Sequence, residues 1–219
     1  LFYSGLQLFT DGEYQEALKR FEKAITLQNE ASIMARATFW KGETQFVLED
    51  FKNALSSFKQ FLSFAEAATT PEFKNFNYNS GYVYFKTKEY DQAANYFQKQ
   101  IDKGTDKVRL NDSYLRLGDC NFMTSKYWPA IQAYGKVMEQ QGVDSDYAYL
   151  HTAVCFGFLG KNAKKTEVLT SLLQLYPKSE YRDDALFELG NTYVAQNKDD
   201  LAIKTYDQLY SEFKNGSFS

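Results

Sequence analysis

Along the chain, apolar and aromatic residues recur in pairs of amphipathic runs separated by short polar breaks. The clearest pair lies near the middle. Between Phe76 and Lys86 the aromatics Tyr78, Tyr82 and Phe85 fall at i, i+4 and i+7, the spacing of one helical face. A polar break, Thr87-Lys88-Glu89, precedes a second amphipathic run from Tyr90 to Lys103, and Gly104 then offers a helix stop. Two helices joined by a tight turn are predicted there.

The same arrangement returns along the whole chain. A glycine is followed nine residues later by an aromatic, three later by an alanine and four beyond by another aromatic: Gly5, Tyr14, Ala17, Phe21; Gly42, Phe51, Ala54, Phe58; Gly81, Tyr90, Ala93, Phe97; Gly118, Tyr127, Ala130, Tyr134. A last copy keeps Gly190, Ala202 and Tyr206 but has Asp199 in the first aromatic slot. Between these two lies a degenerate copy anchored on Ala153, with Gly157 and Gly160 expected to interrupt its turn region, Asn162 in the first aromatic slot, Lys165 in the alanine slot and Leu169 in the final slot. The anchors at 5, 42, 81, 118, 153 and 190 are spaced by 37, 39, 37, 35 and 37 residues. Periods of this length mark solenoids, whose units cannot bury their apolar faces alone.

A glycine inside a helix costs about 1 kcal/mol against alanine. Its return at one position predicts a close approach, with the alanine of the second helix as the expected partner and the final aromatic filling the space beside it. Each such aromatic contributes roughly 1.5–3 kcal/mol on burial.

These slots resemble the tetratricopeptide repeat family, a helix–turn–helix motif of about 34 residues. The resemblance covers essentially the whole chain. It implies an all-α fold, a right-handed superhelical solenoid of about six repeats and about twelve helices. The units run roughly 1–34, 35–73, 74–110, 111–145, 146–182 and 183–219 of a single array. The longest link is expected from Ala65 to Phe73, broken at Thr69-Thr70-Pro71. The fifth unit keeps its register through Tyr149, Leu169, Leu172 and Pro177, and a looser or differently angled helix pair is expected there. Pro129, four residues after Ser125 as a proposed N-cap, falls in a first turn, where its missing N–H costs little.

Composition changes this picture little. Aromatics make up 17% of the chain, which the repeat slots explain, and the net charge of −3 gives no electrostatic argument for nucleic acid, which is not expected as a partner. The densest basic cluster, Lys161, Lys164 and Lys165, is read as a solvated helix face. No apolar run approaches the roughly 18 residues that would span a membrane. The chain starts at Leu1 without Met, and no polar capping element is evident at either end. It is therefore expected to be a piece of a longer array.

The candidates for chemistry are few. Cys120 and Cys155 occupy one slot, two residues past the anchor, and are read as packed thiols, since equivalent helices of neighbouring repeats lie too far apart for a disulfide. His151, the only histidine, pairs with Cys155 at i, i+4 but lacks further metal ligands, an orienting acid and an oxyanion device. The Gly157–Asn162 stretch has the wrong spacing for a phosphate loop. Asn111-Asp112-Ser113 and Asn215-Gly216-Ser217 match glycosylation sequons, which are common by chance. No enzyme activity, metal or cofactor is expected.

The resemblance implies that one face of each first helix lines the concave side of the solenoid. Here that face comprises Phe2, Leu6 and Phe9; Phe39, Glu43 and Phe46; Tyr78, Tyr82 and Phe85; Leu115, Asp119 and Phe122; Leu150, Val154 and Gly157; and Phe187, Asn191 and Val194. The candidate partner-binding residues are Phe2, Phe9, Phe39, Glu43, Phe46, Tyr78, Tyr82, Phe85, Leu115, Asp119, Phe122, Phe187 and Asn191. Packing against neighbouring helices is the competing reading for each aromatic. Capture of a terminal carboxylate is disfavoured, because Phe2, Leu6, Phe39, Glu43, Leu115 and Asp119 are apolar or acidic.

A noncatalytic scaffold for a protein or peptide partner is therefore expected, with a glycan- or small-molecule-binding solenoid or a cytoplasmic adaptor as alternatives. Residues 175–190 resemble repeat proteins of the Gram-negative envelope, the outer-membrane β-barrel assembly lipoprotein and the Tol–Pal coordinator among them. That resemblance implies a periplasmic or outer-membrane-associated setting, with peripheral association with outer-membrane machinery, over a cytoplasmic one.

Overall fold

The computed structural model describes residues 1–213, so the sequon at Asn215 lies outside the described residues. These residues form twelve α-helices and no strand. Two compact units divide them, the first ending at Asp106 and the second starting at Lys107. In the first unit the helices are α1 (Phe2–Thr10), α2 (Tyr14–Leu27), α3 (Ala31–Val47), α4 (Phe51–Ser63), α5 (Phe76–Lys86) and α6 (Tyr90–Lys103). In the second they are α7 (Lys107–Met123), α8 (Tyr127–Gln140), α9 (Ser145–Phe158), α10 (Asn162–Leu175), α11 (Arg182–Ala195) and α12 (Asp199–Glu212). The two runs predicted at mid-chain are α5 and α6, residue for residue.

Within each pair the helices are joined by three residues, and the middle one is always left-handed: Gly12, Glu49, Lys88, Ser125, Gly160 and Asn197, with φ between 56° and 81°. The third residue's N–H then reaches back to a carbonyl five residues earlier. Examples are Glu13 to Leu8, Asp50 to Gln45 and Lys161 to Phe156, all at 2.8 Å. This is a Schellman closure, which satisfies otherwise orphaned carbonyls and turns the chain back on itself. Two expectations are corrected here. Ser125 is the left-handed turn residue and Lys126 occupies the N-cap of α8, although Pro129 does fall in the first turn. Gly160 does not interrupt its turn; it takes the backbone conformation that the turn requires and that glycine adopts without strain.

The repeated glycine has a different partner from the one expected. A Cβ built on Gly5 would lie 2.7 Å from the ring of Phe21, on Gly42 2.8 Å from Phe58, on Gly81 2.9 Å from Phe97 and on Gly190 2.5 Å from Tyr206. Gly118 meets Tyr134 in the same way. The close approach is thus between a helix backbone and an aromatic ring edge, and the alanine beside it, fully buried in Ala17, Ala54, Ala93 and Ala130, packs alongside. In the fifth pair both sides change together: Ala153 supplies a methyl and Leu169 replaces the ring, and the two share one buried cluster with Leu150, Leu172, Ala185 and Leu189. The expected loosening is absent from this core.

The longest link, between α4 and α5, is ordered by two 3-10 turns at Ala67–Thr69 and Pro71–Asn75. Glu72 in the second turn is buried, and its carboxylate accepts hydrogen bonds from Arg36 Nε at 3.0 and 3.1 Å and from Trp40 Nε1 at 3.0 Å. Arg36 also lies over the Phe2 ring, 4.7 Å from its centroid. A carboxylate in a surface link thereby ties that link to α3.

Two stability tests follow from this packing. Gly118→Ala, which drives a methyl into Tyr134, is expected to lower unfolding free energy by about 2 kcal/mol or more. Gly135→Ala, at a helical glycine with open space around it, should raise it by roughly 0.5–1 kcal/mol in the same denaturant titration. Glu72→Ala strands the Trp40 indole N–H and a half-buried guanidinium, and a loss of about 2 kcal/mol is expected. Proteolysis at the 64–75 link should speed up in parallel.

Candidate functional site

The four phenylalanines expected to form a row are clamps for the turns. Phe9 packs edge-on against Tyr14 at 5.3 Å between ring centroids, Phe85 against Tyr90 at 5.6 Å and Phe122 against Tyr127 at 6.0 Å, while Phe46 meets Phe51 at a tilt, 5.8 Å away. Each joins the end of a first helix to the start of the second, and each is half-buried. Phe2, Phe39 and Leu115 are core residues with at most 2% exposure, so they cannot meet a partner without unfolding their helix pair. Tyr78 and Tyr82 stack edge-on at 5.0 Å and both pack on Phe97. Glu43 is half-buried. Of the expected residues, Phe187 and Asn191 alone are exposed.

Asp119 is corrected in the same sense. Its side chain is buried and occupied from within: Tyr134 Oη donates to Oδ1 at 2.9 Å, Tyr147 Oη donates to the same oxygen at 3.0 Å, and Arg116 donates to Oδ2 at 2.7 Å. Burial, then the neighbouring Asp119 charge, push both phenols far above their ordinary value. Asn191 plays the equivalent part in the last pair, accepting from Tyr206 Oη at 2.8 Å. A tyrosine in the final slot thus goes with Asp or Asn directly after the anchor glycine, a coupling readable in the sequence. His151 stacks on Tyr147 at 4.0 Å in this cluster, with Nδ1 buried and unbonded. Desolvation lowers its pKa, against an opposing pull from Asp119. Cys155 is fully buried and desolvation pushes its thiol up to about 12, so it offers no accessible thiolate beside His151. Cys120 is likewise buried and outside any disulfide.

The fifth repeat lacks the clamp and keeps its space open; the sixth, with Val194 and Asp199 at the two positions, lacks the rings as well. In the fifth pair the two clamp positions are Gly157 and Asn162, and between α9, the start of α10 and α11 lies a groove of about 340 Å³. Val154, Phe158, Lys165, Glu188, Asn191 and Thr192 are among the residues that line it. The aliphatic chain of Lys165 lies along Gly157, with Cδ 3.4 Å from where a Cβ would stand, and its ammonium donates to Glu188 at 2.5 Å. That lysine side chain is only 12% exposed. At the lip Phe158 is 61% exposed, its ring stacked on Tyr127 at 4.8 Å and 3°. The groove therefore combines an apolar wall, two side-chain amides and one ion pair that a ligand could exchange. Its signal in the sequence was the joint loss of both clamp aromatics together with lysine in the alanine slot. Inspection of first-helix positions alone misses Asn162 and Lys165, which come from the second helix.

Helix pairs closed by one three-residue turn, a glycine–ring contact in most pairs and, among the described residues, no strand define an α-helical repeat protein. The chain belongs to the tetratricopeptide repeat family: models of that repeat match residues 5–69, 75–102, 147–179 and 184–216, which together take in most of it. The fifth, degenerate copy falls inside a matched segment. Among curated protein sequences none matches. Solved structures share the fold. The C-terminal part of a TPR repeat-containing protein from Cytophaga hutchinsonii aligns with a TM-score of 0.76 and 17% identity over 98% of this chain and 80% of that one. YrrB, described as a TPR protein with an unusual peptide-binding site, aligns at 0.68 and 17% over 89% and 93%. MamA aligns at 0.66 and 19% over 79% and 94%. No described helix is long and apolar enough to cross a membrane.

The depressed His151 pKa has a measurable consequence. In the unfolded chain the imidazole takes its proton near 6.5, whereas the folded protein resists it. Stability from this group is therefore full above pH 6.5 and declines as pH falls below it. The thermal midpoint should drop over that interval, and His151→Phe should flatten the drop.

Proposed function

We propose that this chain is a noncatalytic scaffold that binds a peptide or an extended segment of a protein partner, with the groove of the fifth and sixth helix pairs as its seat. The observation that carries this reading is the open space at Gly157 and Asn162, where the first four copies place two packed aromatic rings. An extended peptide presents alternating apolar side chains and backbone amides. The groove answers with Val154 and Phe158 on one side and the side chains of Asn162, Lys165 and Asn191 on the other. The peptide-binding description attached to YrrB supports the same class of partner. As a finer part of the proposal, the scaffold works in a bacterial cell-envelope assembly or secretion complex, in contact with outer-membrane machinery. The resemblance of residues 175–190 to envelope repeat proteins supports that setting.

Restoring the missing clamp tests the seat directly. Gly157→Phe combined with Asn162→Tyr should fill the groove without loss of thermal stability, because the flexible Lys165 chain can move aside. Partners captured from envelope and soluble fractions of the native host, quantified by mass spectrometry, should fall by about tenfold. An unchanged set of partners would place the binding surface elsewhere, and capture confined to cytosolic proteins would remove the envelope setting.

A further inference from the structure

Beside the groove, the turns of the fourth and fifth pairs form a second exposed surface. Met123, Trp128 and Phe158 are 54%, 50% and 61% exposed, although each belongs to a chemical type that ordinarily buries. Their neighbours hold them in place: Trp128 stands edge-on to Phe156 at 6.1 Å, and Phe122 stands edge-on to Phe158 at 5.9 Å. Lys161, from the fifth turn, places its ammonium 5.9 Å from the centroid of the Trp128 ring.

Lysines gather near these rings: Lys126, Lys136, Lys161, Lys164 and Lys165 lie on α8, on α10 and in the turns that precede them. Lys136, Lys164 and Lys165 are matched by Glu139, Glu167 and Glu188. Lys161 has no carboxylate partner among the described residues and rests on the indole alone. A lysine over an exposed tryptophan, flanked by a second aromatic, is a composite receptor: the cation takes an acid while the rings take an apolar side chain.

We propose that this turn edge docks an acidic peptide segment in which Asp or Glu alternates with aromatic or large aliphatic residues. Other anionic partners fit less well. The rings of Tyr127 and Phe158 are already stacked on each other, which removes platforms that a nucleic acid would use. A membrane surface gains about 1 kcal/mol per lysine and needs several together, whereas three of the five here are neutralised by glutamate. The turn edge is separate from the groove, although Phe158 borders both.

Fluorescence anisotropy with the full chain provides the test, using a short fluorescein-labelled peptide that alternates Glu with Phe. Its Lys–Phe counterpart, phosphatidylserine vesicles and a single-stranded oligonucleotide serve as competing probes. The Glu–Phe peptide is expected to bind, more weakly in high salt. Lys161→Glu and Trp128→Ala should each weaken it by about tenfold. Lys161→Glu alters a solvent-exposed side chain and should leave the thermal midpoint unchanged, so its effect reads binding even if Trp128→Ala destabilises the pair. The groove-filling Gly157→Phe/Asn162→Tyr protein should retain the peptide. Equal binding of the Lys–Phe peptide, tighter binding of vesicles or oligonucleotide, or an unaltered affinity in Lys161→Glu would overturn the proposal. Loss of the peptide in the groove-filled protein would overturn it too, by moving the peptide into the groove while the scaffold reading survives.

Discussion

The contact on which each helix pair depends is that between a backbone without a side chain and the edge of an aromatic ring. A glycine in the first helix lets Phe21, Phe58, Phe97, Tyr134 or Tyr206 lie directly against the helix axis, nearer than any Cβ would permit. The cost of glycine in a helix is offset by burial of a whole ring. Everything else in the pair is placed by this contact. It sets the separation that the small alanine beside it fills, and with the three-residue left-handed turn it sets which residues face each other across the hairpin. Where Ala153 stands instead, a ring cannot enter, and Leu169 takes its place with the core still closed.

Several of the polar groups buried by this packing are satisfied from within. Tyr134 in the ring slot carries its hydroxyl inside, where Asp119 receives it, and Asn191 accepts from Tyr206 at the surface. The long link cannot bury its own backbone in a helix, so Glu72 ties it to Arg36 and Trp40 on α3. These bonds explain why residues that look like a ligand-facing acid or a surface loop acid serve structure. A buried carboxylate is tolerated only when donors surround it.

The proposed seat lies where the rule is broken. The fifth pair keeps its core but gives up the clamp formed elsewhere by Phe9, Phe46, Phe85 and Phe122, and a groove remains at the vacated volume. Lys165, which would be excluded from a tight alanine slot, runs its aliphatic chain along Gly157 and carries its charge to Glu188. The neighbouring turn edge, with Trp128 under Lys161, has the same origin: chemistry that the repeat does not need for packing is left facing outward.

The periodicity of apolar positions was enough to determine the helix pairs, because the physics of an amphipathic helix is local and each slot recurs. The bounds of α5 and α6, the first-turn position of Pro129 and the packed state of both cysteines were legible in this way. The partner of the glycine was not, since sequence spacing cannot tell whether alanine or the ring makes the nearest approach. Nor was the division of the aromatics between core and surface: Phe2 and Phe39 share a helical face with exposed Phe187, and only the packing of neighbouring helices separates them. The irregularity of Gly157, Asn162 and Lys165 was visible in the chain. That it leaves the core intact and opens a groove is a property of volume, and volume is decided by side chains brought together from three helices.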